Sequence, residues 1–212
     1  MNIYNVIILD ESGSMSSIYK ETLTSMNEVL GGIRKNQKEF PEQHHYVTIV
    51  TFEGSGMAGV KTRRDRVPID SIEPFQEKDY QPGGCTPLYD AMGKTLNELE
   101  GLIHPEDKVM ATVITDGMEN SSQEYSGRTI KTLVSRLREK GWVLAYIGAN
   151  QDAIEVARDL NIGNALNFEA NASGTKHLSK RFCFASRRMS EHAMFGVDLK
   201  TCEDLFEDKD GD

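Results

Sequence analysis

The sequence predicts an α/β domain built on a doubly wound, mostly parallel β-sheet with a Rossmann-like, three-layer arrangement. Short runs of apolar, β-forming residues alternate along the chain with longer segments whose apolar residues follow a helical period. Two neighbouring strands are joined by a loop too short to hold a crossover helix, which predicts that this pair is antiparallel. We therefore expect helices on both faces of a sheet that has one antiparallel strand at its edge.

The first part of the chain supplies three strands and one helix. The run IYNVIIL, from Ile3 to Leu9, contains no Gly or Pro and predicts a strand that is buried on both faces. The following segment IYKETLTSMNEVLGGIRKNQKEF has apolar residues at helical spacing, and Pro41 ends it. The strands HYVTIVTFEG and AGVKTRRDRVPI come next, and the Gly-rich stretch EGSGMAG between them predicts an antiparallel hairpin.

The second part of the chain continues the alternation after a loop rich in Pro and Gly, IEPFQEKDYQPGGC. We predict, in order, the helix TPLYDAMGKTLNELEGL with Pro87 in its first turn, the strand KVMATVITD, the helix SGRTIKTLVSRLREKG, the strand WVLAYIGA, the short helix DAIEVARDLNI, the edge strand ALNFEA and the final helix TKHLSKRFCFASRRMSEH. We see no linker that divides the chain. One domain over residues 1–190 is expected, followed by an acidic C-terminal tail over residues 191–212, whose last five residues are expected to form a frayed, solvated terminus.

Composition and charge narrow the classes of function. The chain has 212 residues, 38% of them hydrophobic, and a formal net charge of −9, which disfavours nucleic acid or an anionic membrane surface as its main partner. The three cysteines are an odd number without metal-type spacing, which favours reduced thiols. The apolar run near the N-terminus is too short for a signal peptide or a membrane span, so we expect a cytoplasmic location.

Polar side chains follow the predicted strands at one edge of the sheet. Asp10 and Asp116 end two buried strands, Ser12 and Ser14 come directly after the first of these, and Thr86 stands at the start of a helix. Ligands bind beyond the carboxyl ends of parallel strands, so these side chains are expected to converge. Each of them alone is more typical of a turn or a helix cap. Together they form a set of oxygen donors that suits Mg²⁺, Ca²⁺ or Mn²⁺ rather than zinc or copper.

Three stretches resemble the metal-ion-dependent adhesion site of the von Willebrand factor type A domain. They are DESGSM, which matches the Asp-x-Ser-x-Ser motif of that family, GGCTPLYDAM, which carries its loop threonine, and VITDGMEN, which carries its strand aspartate. The resemblance covers the chain to about residue 188 and implies a six-stranded sheet with one antiparallel edge strand. It also implies that Ser12, Ser14 and Thr86 ligate the metal, and that Asp10 and Asp116 bind it directly or through water.

The ligand set favours binding over catalysis. Only two carboxylates face the cation, so the metal stays electrophilic and can take an Asp or Glu carboxylate from a partner protein. We therefore predict a divalent-metal-dependent protein-binding module, with Mg²⁺ favoured, that has no catalytic activity and binds neither nucleic acid nor membrane. The family likeness also implies an ATPase-containing assembly as a partner.

Four further residues lie inside or beside these motifs. Glu11 is expected to point into solvent, with a role at the rim of the partner groove as the alternative, and Glu119 and Asn120 are similar rim candidates. Cys85, next to Thr86, is expected to be a small buried residue rather than a reactive thiol. The five histidines share no motif and are expected at the surface or at caps.

An enzymatic alternative remains open at this stage. Two strand-end aspartates and a hydroxyl also describe a Mg²⁺-dependent phosphatase-like domain, or a phosphoacceptor domain in which Asp10 or Asp116 is phosphorylated. In such phosphatases a second aspartate, acting as the general acid, stands where this chain has Ser12. A lysine is also expected near the phosphoryl group, and neither Lys94 nor Lys108 has a compelling placement. A phosphoacceptor would not need the Ser-x-Ser pair.

Overall fold

A six-stranded sheet lies at the centre of the computed structural model, which describes residues 1–149 and 153–207. The strands are β1 (Asn2–Asp10), β2 (His44–Phe52), β3 (Val60–Pro68), β4 (Lys108–Thr115), β5 (Val143–Ala149) and β6 (Asn164–Phe168). The α-helices are α1 (Tyr19–Glu39), α2 (Leu88–Glu100), α3 (Gly127–Glu139), α4 (Ala153–Asp159) and α5 (Ala172–Met194). Strands and helices alternate as the sequence predicts.

The strand order is β3-β2-β1-β4-β5-β6, and every neighbouring pair is parallel except β2 and β3. The predicted fold class, including the antiparallel edge strand, is confirmed. The chain moves outward from β1 on one side and continues at β4 on the other side, so the direction of winding reverses between these two central strands. In open α/β sheets this reversal leaves a crevice at the carboxyl ends of the strands, where ligands bind.

The sheet separates two apolar layers, and β1 contributes to both. Ile7 and Leu9 pack in the layer that holds α1 and α5, whereas Val6 and Ile8 pack in the layer that holds α2 and α3. This alternation explains why the strand reads as continuously apolar, since both of its faces are covered. In the two described stretches of the chain, no helix combines the length and the apolar character that crossing a membrane requires.

The segment after α5 packs against the domain. Leu205 and Phe206 are buried in the apolar layer of α1 and α5. The guanidinium of Arg188 on α5 donates hydrogen bonds to the backbone carbonyls of Asp204 (3.1 Å) and Glu207 (3.0 Å). This part of the acidic tail therefore packs on the domain, and residues 208–212, for which a solvated terminus is expected, lie outside the described chain.

His45 is buried in the described structure, so the expectation of a surface or cap position is wrong for this histidine. Its ring lies between the side chains of Asn5 (3.4 Å) and Gln43 (3.2 Å), and only 1% of the residue is exposed. Burial, together with the neighbouring His44, lowers the pKa of His45 from 6.5 to about 4.

This lowered pKa predicts a loss of stability in acid. Between pH 6.5 and pH 4, His45 is protonated in the unfolded chain but neutral in the folded chain. Protonation therefore favours the unfolded state, and the stability that the protein has above pH 6.5 is lost as the pH falls towards 4. We expect wild type to lose about 3 kcal/mol more than His45→Gln between pH 7.5 and pH 4. Urea unfolding at several pH values measures this difference, and parallel pH curves for the two proteins would contradict it.

Candidate metal site

The carboxyl ends of β1 and β4 bring two aspartates together at the reversal of the sheet. Asp10 is the last residue of β1, and β1 pairs with β4 so that Leu9 lies opposite Ile114. Asp116 directly follows the end of β4. Both residues are buried, with 0% of Asp10 and 6% of Asp116 exposed. Two carboxylates are thus held at one edge of the sheet with little access to water.

Hydroxyl and amide donors fix the carboxylate of Asp10. The backbone amide of Ser12 donates to Oδ1 at 2.7 Å, and the hydroxyl of Thr115 donates to Oδ2 at 2.5 Å. Thr115 was not among the predicted site residues. Thr115 could have been found from its position, because it directly precedes Asp116 at the end of a central strand. A side chain at the end of one strand lies beside the end of the neighbouring strand.

The two serines connect the first motif to the third. The hydroxyl oxygens of Ser12 and Ser14 are 3.1 Å apart, and Ser14 donates to Oδ1 of Asp116 at 2.6 Å. The alternate spacing of the serines thus places both hydroxyls on the side of the turn that faces β4. The predicted convergence of DESGSM and VITDG is observed.

Thr86 reaches the same place from a third segment of the chain. A Cβ atom placed on Gly117 would lie 3.2 Å from Oγ1 of Thr86, 3.6 Å from Oδ2 of Asp10 and 3.6 Å from Oγ of Ser14. Oxygens from two separate segments, Asp10 and Ser14 from one and Thr86 from the other, therefore surround a point beside Gly117 of the third segment, and Gly117 places no side chain there. Gly117 is a second site residue that the sequence reasoning missed.

The two carboxylates of this cluster are buried, and this burial affects their pKa values. Burial raises the pKa of Asp10 from 3.8 to about 6, although hydrogen bonds from Thr115 and Ser12 act to lower it. Burial also raises the pKa of Asp116, against the hydrogen bond from Ser14. Within residues 1–149 and 153–207, no lysine or arginine forms an ion pair with either carboxylate. A bound cation would supply the missing charge.

The donor set fits a hard divalent cation. The described residues contain no group of three His, Cys, Asp or Glu side chains that could hold a metal ion. The candidate set has a different composition, because two carboxylates are joined by three neutral hydroxyls from Ser12, Ser14 and Thr86. Oxygen donors of this kind suit Mg²⁺, Ca²⁺ or Mn²⁺.

Glu11 does not lie in solvent as expected. Its side chain is fully buried, and both of its carboxylate oxygens accept hydrogen bonds from the guanidinium of Arg63, at 3.0 and 2.8 Å. A side chain without exposed area also presents no carboxylate at a rim. The error has a clear cause: Arg63 belongs to β3 and is remote in sequence, so the motif itself gave no sign of this partner.

The other two rim candidates connect the loop after β4 to the start of α2. The carboxylate of Glu119 accepts hydrogen bonds from the backbone amides of Tyr89 (2.9 Å) and Ser122 (2.7 Å). The side-chain oxygen of Asn120 accepts one from the backbone amide of Thr86 at 2.9 Å. These contacts hold the loop of Asp116 against the loop of Thr86, whereas a role of either residue in partner contact stays a prediction.

Cys85 is exposed, so the expectation that it is buried is wrong. It follows Gly84, whose φ of +65° places the chain in the left-handed region that glycine favours. The backbone turns sharply there and directs Thr86 inward while its neighbour Cys85 stays at the surface.

Comparison with known proteins gives the fold. No protein-family model and no curated protein matches the chain. Among solved structures, a von Willebrand factor type A protein from Catenulispora acidiphila is 16% identical over 91% of this chain and 43% of that chain, with a TM-score of 0.56. The ArnB paralog VWA2 from Sulfolobus acidocaldarius is 16% identical over 86% of this chain and 44% of that chain, also with a TM-score of 0.56.

The VWA domain of SpRpn10 is 11% identical over 82% of this chain and 92% of that domain, with a TM-score of 0.54. The chain spans less than half the length of the first two proteins and nearly the whole length of this domain. At these levels of identity the likeness shows the fold alone. The chain therefore has a von Willebrand factor A-like fold, as its motifs led us to expect.

Proposed function

We propose that the chain is a divalent-metal-dependent protein-binding module, and that its cation is held by Asp10, Ser12, Ser14, Thr86 and Asp116. The observation that carries the proposal is the convergence of the Asp10, Ser14 and Thr86 oxygens on the point beside Gly117, with Ser14 also bonded to Asp116. Mg²⁺ is the favoured ion, and Ca²⁺ or Mn²⁺ suits the same donors.

The charge of the site supports capture of a carboxylate. Asp10 and Asp116 together carry two negative charges, so a divalent ion leaves the loaded centre near neutrality and open to a further anionic ligand. An Asp or Glu side chain of a partner protein supplies such a ligand. Because the whole chain carries a formal charge of −9, the metal would provide a local attraction for acidic partners that the surface otherwise lacks.

The proposal includes three further statements about partners and activity. The module acts by binding and has no catalytic activity of its own. Its partner is a protein rather than nucleic acid or membrane, in line with the negative net charge. An ATPase-containing assembly is the partner class that the resemblance of its motifs implies.

The phosphatase-like alternative receives no support from the position of Lys108, one of the two lysines considered for it. Lys108 begins β4, at the edge of the sheet opposite the strand end that precedes Asp116. The residue two positions after Asp10 is Ser12, whose hydroxyl lies 3.1 Å from that of Ser14 and is a poor general acid. Steady hydrolysis of a simple phosphate ester by the purified chain would contradict the binding proposal.

The metal is tested by thermal unfolding in Mg²⁺ and in EDTA. We expect Mg²⁺ to raise the Tm of wild type and to leave the Tm of Asp10→Ala and of Thr86→Ala unchanged, because each variant loses one oxygen donor. At a Mg²⁺ concentration of about 100 times Kd, the stabilisation is about 2.7 kcal/mol. If both variants respond to Mg²⁺ as wild type does, the assignment of the site is wrong.

The partner is tested by retaining proteins from a cell lysate on the immobilised chain. Retention in Mg²⁺ that is lost in EDTA, and that is absent with Asp10→Ala, is the expected result. Mutation of a single Asp or Glu in the retained protein should then abolish its binding. Retention that is equal in Mg²⁺ and EDTA would argue against a metal-dependent contact.

A further inference from the structure

A third buried carboxylate lies next to the candidate metal site and is paired with an arginine. Glu11 directly follows Asp10, and Arg63 on β3 binds both of its carboxylate oxygens. Arg63 is itself held by a hydrogen bond of 2.8 Å from its Nε to the hydroxyl of Thr51. The guanidinium therefore has a fixed position, with only 21% of its side chain exposed.

Glu11 lies between two of the proposed metal ligands in the chain, because Asp10 precedes it and Ser12 follows it. The loop that contacts Glu11 also contacts Asp10, since the hydroxyl of Tyr80 donates a hydrogen bond of 2.8 Å to the backbone carbonyl of Asp10. At such short range in a buried site, an uncompensated charge on Glu11 would act on the bound cation.

Glu11 also binds the backbone of the loop that leads to Thr86. Its carboxylate accepts a hydrogen bond from the backbone amide of Gln81, and its backbone carbonyl accepts one of 2.8 Å from the amide of Gly83. Both contacts hold the loop that leads to Thr86 against the end of β1. The loop therefore depends on a carboxylate at a place where a third negative charge would disturb the metal centre.

We propose that Arg63 compensates the charge of Glu11 and so sets the preference of the loaded site for an anionic ligand. The inference rests on the function proposed above. A divalent ion with Asp10 and Asp116 gives a net charge of zero, Glu11 alone would make it −1, and Arg63 returns it to zero. Arg63 thus acts on the site through Glu11, whose carboxylate it binds, and is a positioning residue for the charge of the site.

A second ion pair on the same strand provides a matched control. Arg64 donates to both carboxylate oxygens of Asp79, at 3.1 and 3.0 Å. The exposed fractions of these side chains, 17% for Arg64 and 10% for Asp79, are similar to those of the first pair. This pair shares the two-oxygen geometry of the first pair, but its carboxylate belongs to Asp79, which does not adjoin any of the proposed metal ligands in the chain.

The test compares Arg63→Gln, Glu11→Gln and the double variant with wild type. Calorimetry with Mg²⁺ alone gives the metal affinity, and NMR titration of the Mg²⁺-loaded protein with acetate gives the anion affinity, with acetamide as the neutral probe. We expect Arg63→Gln to bind Mg²⁺ about tenfold more tightly and acetate about tenfold more weakly. Glu11→Gln should shift both affinities in the opposite directions.

Three further variants separate charge from structure. The double variant and Arg63→Lys, which both keep the net charge, should stay within about threefold of wild type for both probes. Arg64→Gln should lower the Tm and leave both affinities unchanged. Acetamide binding should be the same in every variant.

The outcomes separate this inference from the function on which it rests. If wild type binds Mg²⁺ but Arg63→Gln and Glu11→Gln both weaken Mg²⁺ and acetate together, the pair is only structural and the charge role is overturned. Equal affinities in all variants would overturn it as well. If wild type binds no Mg²⁺, the proposed function fails, and the inference fails with it.

Discussion

Replacing Gly117 with alanine is expected to remove most of the stabilisation by Mg²⁺ while the fold stays intact. The added methyl group would lie 3.2 Å from the hydroxyl of Thr86 and 3.6 Å from the carboxylate of Asp10, in the space that the oxygens surround. For wild type at about 100 times Kd, we expect Mg²⁺ to raise the Tm by about 5–10 °C. For Gly117→Ala the rise should fall below about 2 °C, as measured by thermal unfolding in Mg²⁺ and in EDTA.

Gly13 supplies the matched control for this substitution. It lies between the two serines of the first motif, yet a Cβ atom placed there meets only the backbone carbonyl of Gly84, at an ordinary contact distance of 3.5 Å. Gly13→Ala should therefore keep the response to Mg²⁺. A full response in Gly117→Ala, or an equal loss in both variants, would mean that the point beside Gly117 is not where the ion binds.

The sequence was sufficient for the fold because its signals are local and periodic. The run from Ile3 to Leu9 and the helical spacing after it define their elements without reference to distant residues. The antiparallel pair of β2 and β3 followed from the length of one loop, and the structure confirms it. Once strands and helices alternate, the strand ends that carry Asp10 and Asp116 fall at one edge of the sheet.

Burial of individual side chains could not be predicted in the same way. Glu11 is buried because it pairs with Arg63, 52 positions further along the chain, and the motif contains no sign of that partner. Without a partner, an acidic residue in a polar turn is correctly expected in solvent. The prediction that Cys85 is buried was wrong for a different reason. It was inferred from the residue type, whereas the turn at Gly84 leaves Cys85 at the surface.

The C-terminal segment gives a related lesson. Its apolar residues Leu199, Leu205 and Phe206 are too few and too irregularly spaced to indicate a helix or a strand. They are nevertheless buried, and arginines of α5 donate hydrogen bonds to backbone carbonyls at residues 204–207 of this segment. Arg181 donates to the carbonyl of Phe206 at 3.1 Å, for example. Periodicity detects regular elements, whereas a segment held by side chains of another element has no period to detect.

Removing the carboxylate of Asp90 is expected to destabilise the chain strongly. Asp90 lies in the first turn of α2, is fully buried, and accepts hydrogen bonds from three consecutive backbone amides, of Gln123 (2.8 Å), Glu124 (2.9 Å) and Tyr125 (2.8 Å). Asp90→Ala leaves these amides without their acceptor, and hydrogen bonds to a charged group are the stronger ones. We expect a loss of about 3–5 kcal/mol in the free energy of unfolding, measured in urea.

Glu98 on the same helix is exposed and serves as the control, since Glu98→Ala should change the free energy of unfolding by less than about 0.5 kcal/mol. Asp90→Asn, which keeps one acceptor oxygen, should lose an amount of stability between those of Asp90→Ala and Glu98→Ala.

The amides bound by Asp90 belong to the loop that begins after Asp116. If the hydrogen bonds to Asp90 hold this loop in place, Asp90→Asn should also weaken Mg²⁺ binding, although Asp90 is not one of the proposed ligands. An unchanged affinity in a destabilised Asp90→Asn would show instead that β1 and β4 position the two aspartates without help from the loop.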